Sequence, residues 1–226
     1  MTGLTVLLCW LVLVSVGMGA VSISTGKVFS ILLDSLGLSN SETFTAIQQS
    51  VLIKIRLPRV LLAVLVGAAL AVSGAAMQGL FRNPLADPGL IGVSSGAALA
   101  TAIAMVVLNQ LNFAFLELIG AALIPLAAFT GGILATVFVY RLSTFGGKTN
   151  VATMLLTGIA VNAMAGAVIG YMIFLSDDDQ LRDLTFWTLG SLSGAMWPSV
   201  FMVLPFLLIT IIFLPRLSNG LNAILL

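Results

Sequence analysis

Histidine is absent from the chain and cysteine occurs once, at position 9. The first absence removes the commonest general base and metal ligand, and the second removes any intramolecular disulfide. Charge is scarce as well, at 8% of residues, where an ordinary soluble domain carries roughly 25%. A water-soluble globule is excluded on that ground. Net charge is +1 with no run of Lys or Arg, so composition points neither to nucleic acid nor to a polybasic lipid-binding segment. No nucleophile, base and acid stand together, which sets a membrane enzyme well behind other readings.

What the 226 residues do contain is apolar sequence, 60% of the total. Charges are clustered so that residues 1–26, 60–81, 88–116, 118–140, 149–176 and 184–215 are uncharged. Each stretch is long enough to cross a bilayer as helix, which takes about 20 residues. The expected architecture is all-α, a polytopic helical bundle forming a single membrane domain over 1–226, with about six spans. Span one covers residues 1–24, which lack the basic start of a secretory signal. Cys9 within it reads as a buried small hydrophobe. Residues 25–59 form an extramembrane, partly helical connector ending in Lys54, Arg56 and Arg59. Span two is 60–81, and the loop 82–89 holds two prolines that cannot continue a helix. Span three runs from 90 to about 108, span four from 118 to 140 with Pro125 as a kink, span five from 151 to 175 and span six from 197 to 214, stopped by Pro215 and Arg216.

Positive charge does not orient these spans, since Arg82, Arg141, Lys148 and Arg216 on one side face Lys27, Lys54, Arg56, Arg59 and Arg182 on the other. The cluster at 54–59 reads either as a docking patch for an acidic partner or as interfacial anchoring by snorkelling arginines. No Asp, Glu, Lys or Arg falls in mid-span, which disfavours proton or sodium coupling and leaves a separate ATPase as the energy source for any transport. Small residues recur every four positions at Gly67 and Ala71, at Gly92, Gly96 and Ala100, and at Gly158, Asn162, Gly166 and Gly170, as close helix packing requires. Thr153, Thr157 and Asn162 on span five read either as a polar pathway wall or as interhelical hydrogen-bond glue. Ser176 with Asp177, Asp178 and Asp179 fits a helix N-terminus better than a cation site. The amphipathic segment that follows, 180–192, is expected to lie near the membrane surface.

Several motifs at fixed spacing now combine: Arg56-Leu-Pro-Arg59, Val66-Gly-Ala-Ala-Leu-Ala71 with Gly74 and Met77-Gln78, Asn83-Pro-Leu-Ala-Asp-Pro-Gly89, and Gly92-Val-Ser-Ser-Gly96. Together they resemble the FecCD family of ABC importer permeases, which carry iron-siderophores, haem and cobalamin across the bacterial inner membrane. The stretch 176–194 looks most like haemin permeases. The resemblance implies a permease fold of roughly ten helices, of which this chain would supply the N-terminal part without the ATPase-coupling loop. It also implies a transport subunit with no cofactor and no enzymatic role. Its partners would be a cytoplasmic ABC ATPase dimer, a periplasmic substrate-binding protein and a second permease subunit forming a homodimer, with haem or a ferric chelate as substrate.

The resemblance further puts the N-terminus in the cytoplasm and 25–59 and 176–194 in the periplasm. It makes Arg56 and Arg59 the docking residues for the binding protein, and Asn83, Leu85, Asn150 and Val151 the cytoplasmic gate. The expected pathway comprises Thr153, Thr157 and Asn162, with Met154, Met164 and Phe174 as apolar contacts to the porphyrin or chelate. The alternative expectation is a truncated, non-transporting membrane fragment with an assembly or regulatory role.

Overall fold

In the computed structural model, residues 2–38, 44–107 and 120–225 are described, with side chains at all of them except 121 and 214–225. The sequence's loop at Asn109, Asn112 and Glu117, and the start of span four, lie outside the described residues. Helices dominate: α1 (Thr2–Gly17), α2 (Thr25–Ser35), α3 (Ala46–Val51), α4 (Leu57–Phe81), α5 (Val93–Val106), α6 (Leu123–Leu142), α7 (Val151–Leu175), α8 (Asp178–Leu189) and α9 (Trp197–Leu225). This is an all-α membrane fold. Among the described residues, three helical stretches are long and apolar enough to cross a membrane, Ala46–Phe81, Leu123–Leu142 and Val151–Leu175, and α1, α5 and the 197–213 part of α9 are shorter apolar helices.

The chain divides into two compact units, residues 1–72 with 192–222 and residues 73–191 with 223–226. In the first, Val16 of α1, Ile23, Val28 and Ile31 of α2, and Leu52 form one buried cluster. Leu62 and Leu65 of α4 pack with Ala195, Val200 and Leu207 in another. Span two begins earlier than the apolar count suggests, because helix runs without a break from Ala46 through a π-helical turn, Leu52–Arg56, into α4. Pro58 is the cause. A proline inside a helix has no N–H to give and pushes away the carbonyl one turn back. The wider turn absorbs that: the Leu57 N–H reaches back five residues to the Leu52 carbonyl, and Pro58 is fully buried.

In the second unit, α5 and α6 cross at Gly96 and Gly131, where a Cβ on either glycine would collide with the other helix's backbone and with Ala135 or Ala100. That contact is the close approach expected of a small-residue face. Between α6 and α7 stands a two-residue hairpin, Thr144–Phe145 paired with Lys148–Thr149. Its turn residues Gly146 and Gly147 both have positive φ, 57° and 77°, as a type I′ turn requires. Leu184 of α8 is buried against Ala102 and Val106 of α5.

Four local expectations change. Pro125 occupies the first turn of α6, where a missing N–H costs nothing, and is not a kink. Asp177, rather than Ser176, caps α8, in a capping box with Gln180, while the Ser176 hydroxyl donates to the Met172 carbonyl at the end of α7. Cys9 is exposed on α1. Helix α9 continues past Pro215 and Arg216. No group of three or more metal-ligating side chains occurs among the described residues.

Candidate functional site

The loop at 82–92 in the second unit is built almost wholly from its own sequence. Helix α4 ends with Arg82 at φ 50°, while the Arg82 N–H bonds the Gly79 carbonyl (3.3 Å) and the Asn83 N–H the Gln78 carbonyl (3.2 Å). This is a Schellman ending with an arginine where glycine is usual. Asn83 Oδ1 then accepts from the Leu85 N–H (2.9 Å), closing a turn around Pro84 that throws Leu85 outward, 84% exposed. Ala86 turns inward and is buried. Asp87 Oδ1 accepts from the Gly89 N–H (2.7 Å) and caps a single 3-10 turn, Pro88–Ile91. Gly92 at φ 84° turns the chain into α5.

Helix α7 grips this knuckle at two places. A Cβ at Gly158 would run into the Leu90 carbonyl, so only glycine lets the helix approach. One turn further on, Asn162 Nδ2 donates to the Gly89 carbonyl (3.1 Å), and Ser95 Oγ of α5 donates to Asn162 Oδ1 (2.5 Å). Of the two roles open to Asn162, the hydrogen bonds describe the interhelical tie. Nine residues along a helix amount to about 180° of rotation, so Thr153 and Asn162 fall on opposite sides of α7 and the three polar residues do not form one stripe. Thr153 and Thr157 are half-buried. Met154 is buried in the cluster of Met77, Phe81, Ala86, Ile91 and Val139. Met164 borders an apolar groove between α5, α6 and α7, of about 570 Å³, with Leu99, Leu134, Phe138 and Val168. Phe174 is exposed.

The four residues that the resemblance makes a gate belong to two stretches that meet through that buried cluster, since Ala86 comes from the loop and Met154 from the first turn of α7. Asn83 and Leu85 are exposed at the tip of the knuckle, and Asn150 and Val151 are exposed at the start of α7. Asn150 also has a local task, its Oδ1 accepting from the Thr153 N–H (3.1 Å) as the N-cap. A loop tied by its own hydrogen bonds and clamped to one helix can transmit displacement of that helix.

In the first unit, Arg56 lies on the π-helical turn and is buried. Its guanidinium donates to the carbonyls of Val16 (3.1 Å), Gly17 (2.8 Å) and Val21, the last two by separate nitrogens. It therefore caps the C-terminal end of α1, where carbonyls lack helical partners and the dipole favours a cation. That burial was not legible in the sequence; the signal available was that Arg56 precedes a helix-internal proline. Arg59 donates through one terminal nitrogen to the Ser193 carbonyl. Lys54 is exposed. The Trp197 indole N–H donates to the Ile53 carbonyl (2.9 Å). That carbonyl is left over by the π-helical turn, because the Leu57 N–H is taken by Leu52 and Pro58 has none to offer.

Comparison with known proteins places this geometry. The chain is 43% identical over 209 residues to the hemin transport system permease protein HmuU of Yersinia pestis, covering 92% of this chain and 58% of that protein. It is 39% identical over 171 residues to the cobalamin import system permease protein BtuC of Halobacterium salinarum, covering 76% of this chain and 44% of that protein. A solved structure of a metal-chelate type ABC transporter in an inward-facing conformation superposes with a TM-score of 0.76 at 30% identity, over 98% of this chain and 62% of that one. The chain thus spans about half the length of the curated relatives it matches. The model of the FecCD transport family matches residues 6–226, and the chain belongs to that family as a multi-pass protein of the bacterial inner membrane.

Proposed function

We propose that this chain works in the permease of an ATP-driven importer that moves haem or an iron-siderophore complex from periplasm to cytoplasm, with ATP hydrolysed by a separate ABC ATPase dimer. The observation that carries this reading is the 82–92 knuckle held by Gly158 and Asn162 of α7, joined to the likeness to a haemin permease over 92% of the chain. Movement of α7 shifts the knuckle, so Asn83, Leu85, Asn150 and Val151 open and close together as the cytoplasmic gate. Thr153 and Thr157 line the passage beside it, and Met164 and Phe174 offer apolar contact to a porphyrin or chelate. Met154, in the buried cluster, supports the gate from behind, and Asn162 holds the knuckle. With no histidine in these 226 residues, this chain offers the passage no imidazole to ligate iron, and its own contacts to the cargo are apolar and loose.

A second copy of the permease completes the pathway, and a periplasmic binding protein delivers the substrate to the basic shoulder at 54–59. There Lys54 and Arg59 present the charge, and Arg56 sets the corner on which they stand. Exchanging Lys54 and Arg59 together for Glu is expected to weaken association with the binding protein by about 2–5 kcal/mol, the range for interfacial charge pairs. Unaltered affinity at low salt would remove the shoulder from the interface. The substrate is tested by ATP-dependent uptake into proteoliposomes holding the permease, the ATPase and the binding protein. Uptake of haem, with cobalamin excluded, is the expected result. Uptake of cobalamin alone would reassign the cargo, in line with the likeness to a cobalamin permease.

A further inference from the structure

Helix α2 (Thr25–Ser35) carries two separate apolar faces. It is closed by its own sequence in a Schellman turn, with Gly37 at φ 73°, the Gly37 N–H on the Asp34 carbonyl (2.9 Å) and the Leu38 N–H on the Leu33 carbonyl (2.9 Å). One apolar face belongs to the core, where Val28 and Ile31 are buried with Val16, Ile23 and Leu52. The polar groups lie on another side: the Ser30 hydroxyl donates to the Gly26 carbonyl (3.1 Å), and Asp34 accepts from Gln49 of α3 (3.2 Å). The second apolar face lies outside that core. Phe29, Leu33 and Leu36 stand four and three residues apart, within about 60° of one another around the helix, and are 53%, 43% and 71% exposed.

The level of α2 in the membrane follows from what it packs on. Arg56 bonds the Val16 and Gly17 carbonyls at the end of α1, and Gly19 makes room for it, since a Cβ there would meet the guanidinium. Arg56 precedes the uncharged stretch 60–81 by one helical turn, about 5 Å. The headgroup layer on each side of the hydrocarbon core is about 5–7 Å deep. The last turn of α1 and the start of α4 therefore meet in that layer, and α2, packed against Val16, is held there with them. Lys27 precedes Phe29 by two residues, about 200° of rotation, so it lies across the helix from the exposed apolar face. An apolar face at headgroup depth with polar groups opposite is the pattern of a helix lying in the interface plane.

We propose that α2 is an interfacial anchor, lying along the bilayer surface with Phe29, Leu33 and Leu36 inserted among phospholipid acyl chains just below the headgroups. Polar residues mark 25–59 as extramembrane in the sequence, and it is the helix that sorts those of α2 to one side. Phospholipid is the occupant because the face lies at the depth of the bilayer that surrounds the chain. The anchor fixes the depth at which α1 ends and α4 begins. Membrane residence alone is required, so the anchor stands apart from the transport reading, and none of its three residues belongs to the docking shoulder.

Spin labelling of the full chain in liposomes tests the anchor, with Cys9→Ala as background and Phe29→Cys, Leu33→Cys and Lys27→Cys introduced singly. Labels at the first two positions are expected to collide several-fold more often with oxygen, which concentrates among acyl chains, than with a water-soluble nickel chelate. The label at Lys27→Cys is expected to reverse that order. More frequent collision with the chelate at both Phe29→Cys and Leu33→Cys would mean that the face is turned to water. Low collision with both reagents would mean that protein covers it, a second copy or another partner. Either result would overturn the proposal. Phe29→Trp gives an independent reading that keeps an aromatic ring in place: the emission it adds should be quenched by brominated lipid and spared by aqueous iodide, and the reverse would equally overturn the anchor.

Discussion

Arg82 is the one described non-glycine residue with positive φ, and its side chain gains nothing visible from that conformation, being exposed at the end of α4. A left-handed backbone costs a non-glycine residue about 1–2 kcal/mol. Glycine escapes that cost but loses more entropy on folding. Arg82→Gly is thus expected to stabilise the chain by a net of about 0.5–1 kcal/mol, read as a higher midpoint of thermal unfolding in detergent. A lower midpoint would show that the arginine is doing something the backbone does not reveal. Asn162 sits at the other extreme, with both ends of its amide engaged. Asn162→Leu leaves the Gly89 carbonyl and the Ser95 hydroxyl without that partner and should destabilise by about 1 kcal/mol, as interhelical hydrogen bonds in membranes do. Ser95→Ala made in the Asn162→Leu background should then cost little more, since the two residues share one tie. Additive losses would mean that the tie is not shared.

At the scale of the element, the start of α4 shows what a sequence can and cannot disclose. The polar residues of 25–59 and the basic cluster that closes them suggested an extramembrane, partly helical connector with the second span starting only at Val60. Helix instead runs on through Pro58: the π-helical turn absorbs the proline, and Trp197, more than a hundred residues away in sequence, takes the carbonyl left over. Nothing in the local pattern announces such a partner. By contrast, the bounds of α7 were readable to the residue, because Asn150 is an N-cap and charge resumes soon after Leu175. The link at Trp197 can be measured. Trp197→Phe orphans the Ile53 carbonyl and should cost about 1 kcal/mol. In a Pro58→Ala background the π-helical turn is free to relax to α-helix, so the Ile53 carbonyl can take the Leu57 N–H. There the same exchange should cost clearly less. An equal cost in both backgrounds would disconnect the tryptophan from the proline. The glycine faces divide in a way the four-residue spacing could not show: Gly96, Gly131 and Gly158 meet neighbouring backbone, whereas Gly67, Gly166 and Gly170 have nothing within 4 Å.

For the whole molecule, the positions of the apolar stretches were legible because charge is so rare that each charged cluster marks a break, yet their orientation was not, because basic residues divide almost evenly between the sides. The proposed gate positions came from motif resemblance alone, and what the fold adds is that their two stretches pack together through Ala86 and Met154. Arg56 shows the limit: its charge was visible in the sequence and its burial beneath α1 was not. The second unit itself fixes part of the topology. Gly146 and Gly147 join α6 to α7 by a two-residue turn, so both helices meet on one side of the membrane. The 25 residues of α7 cover about 37 Å at 1.5 Å each, enough to cross a hydrocarbon core of about 30 Å. Asp178, at the start of α8, therefore stands on the opposite side from Gly147. Family membership implies that the Gly147 side is the cytoplasm. In a chain with Cys9 replaced by Ala, Gly147→Cys is expected to resist a membrane-impermeant thiol reagent added to intact spheroplasts and to react once the membrane is opened. Asp178→Cys is expected to react in both conditions. Exchange of the two patterns would invert the assigned orientation and with it the sides of gate and docking shoulder, and labelling of both cysteines in intact spheroplasts would contradict a membrane-crossing α7.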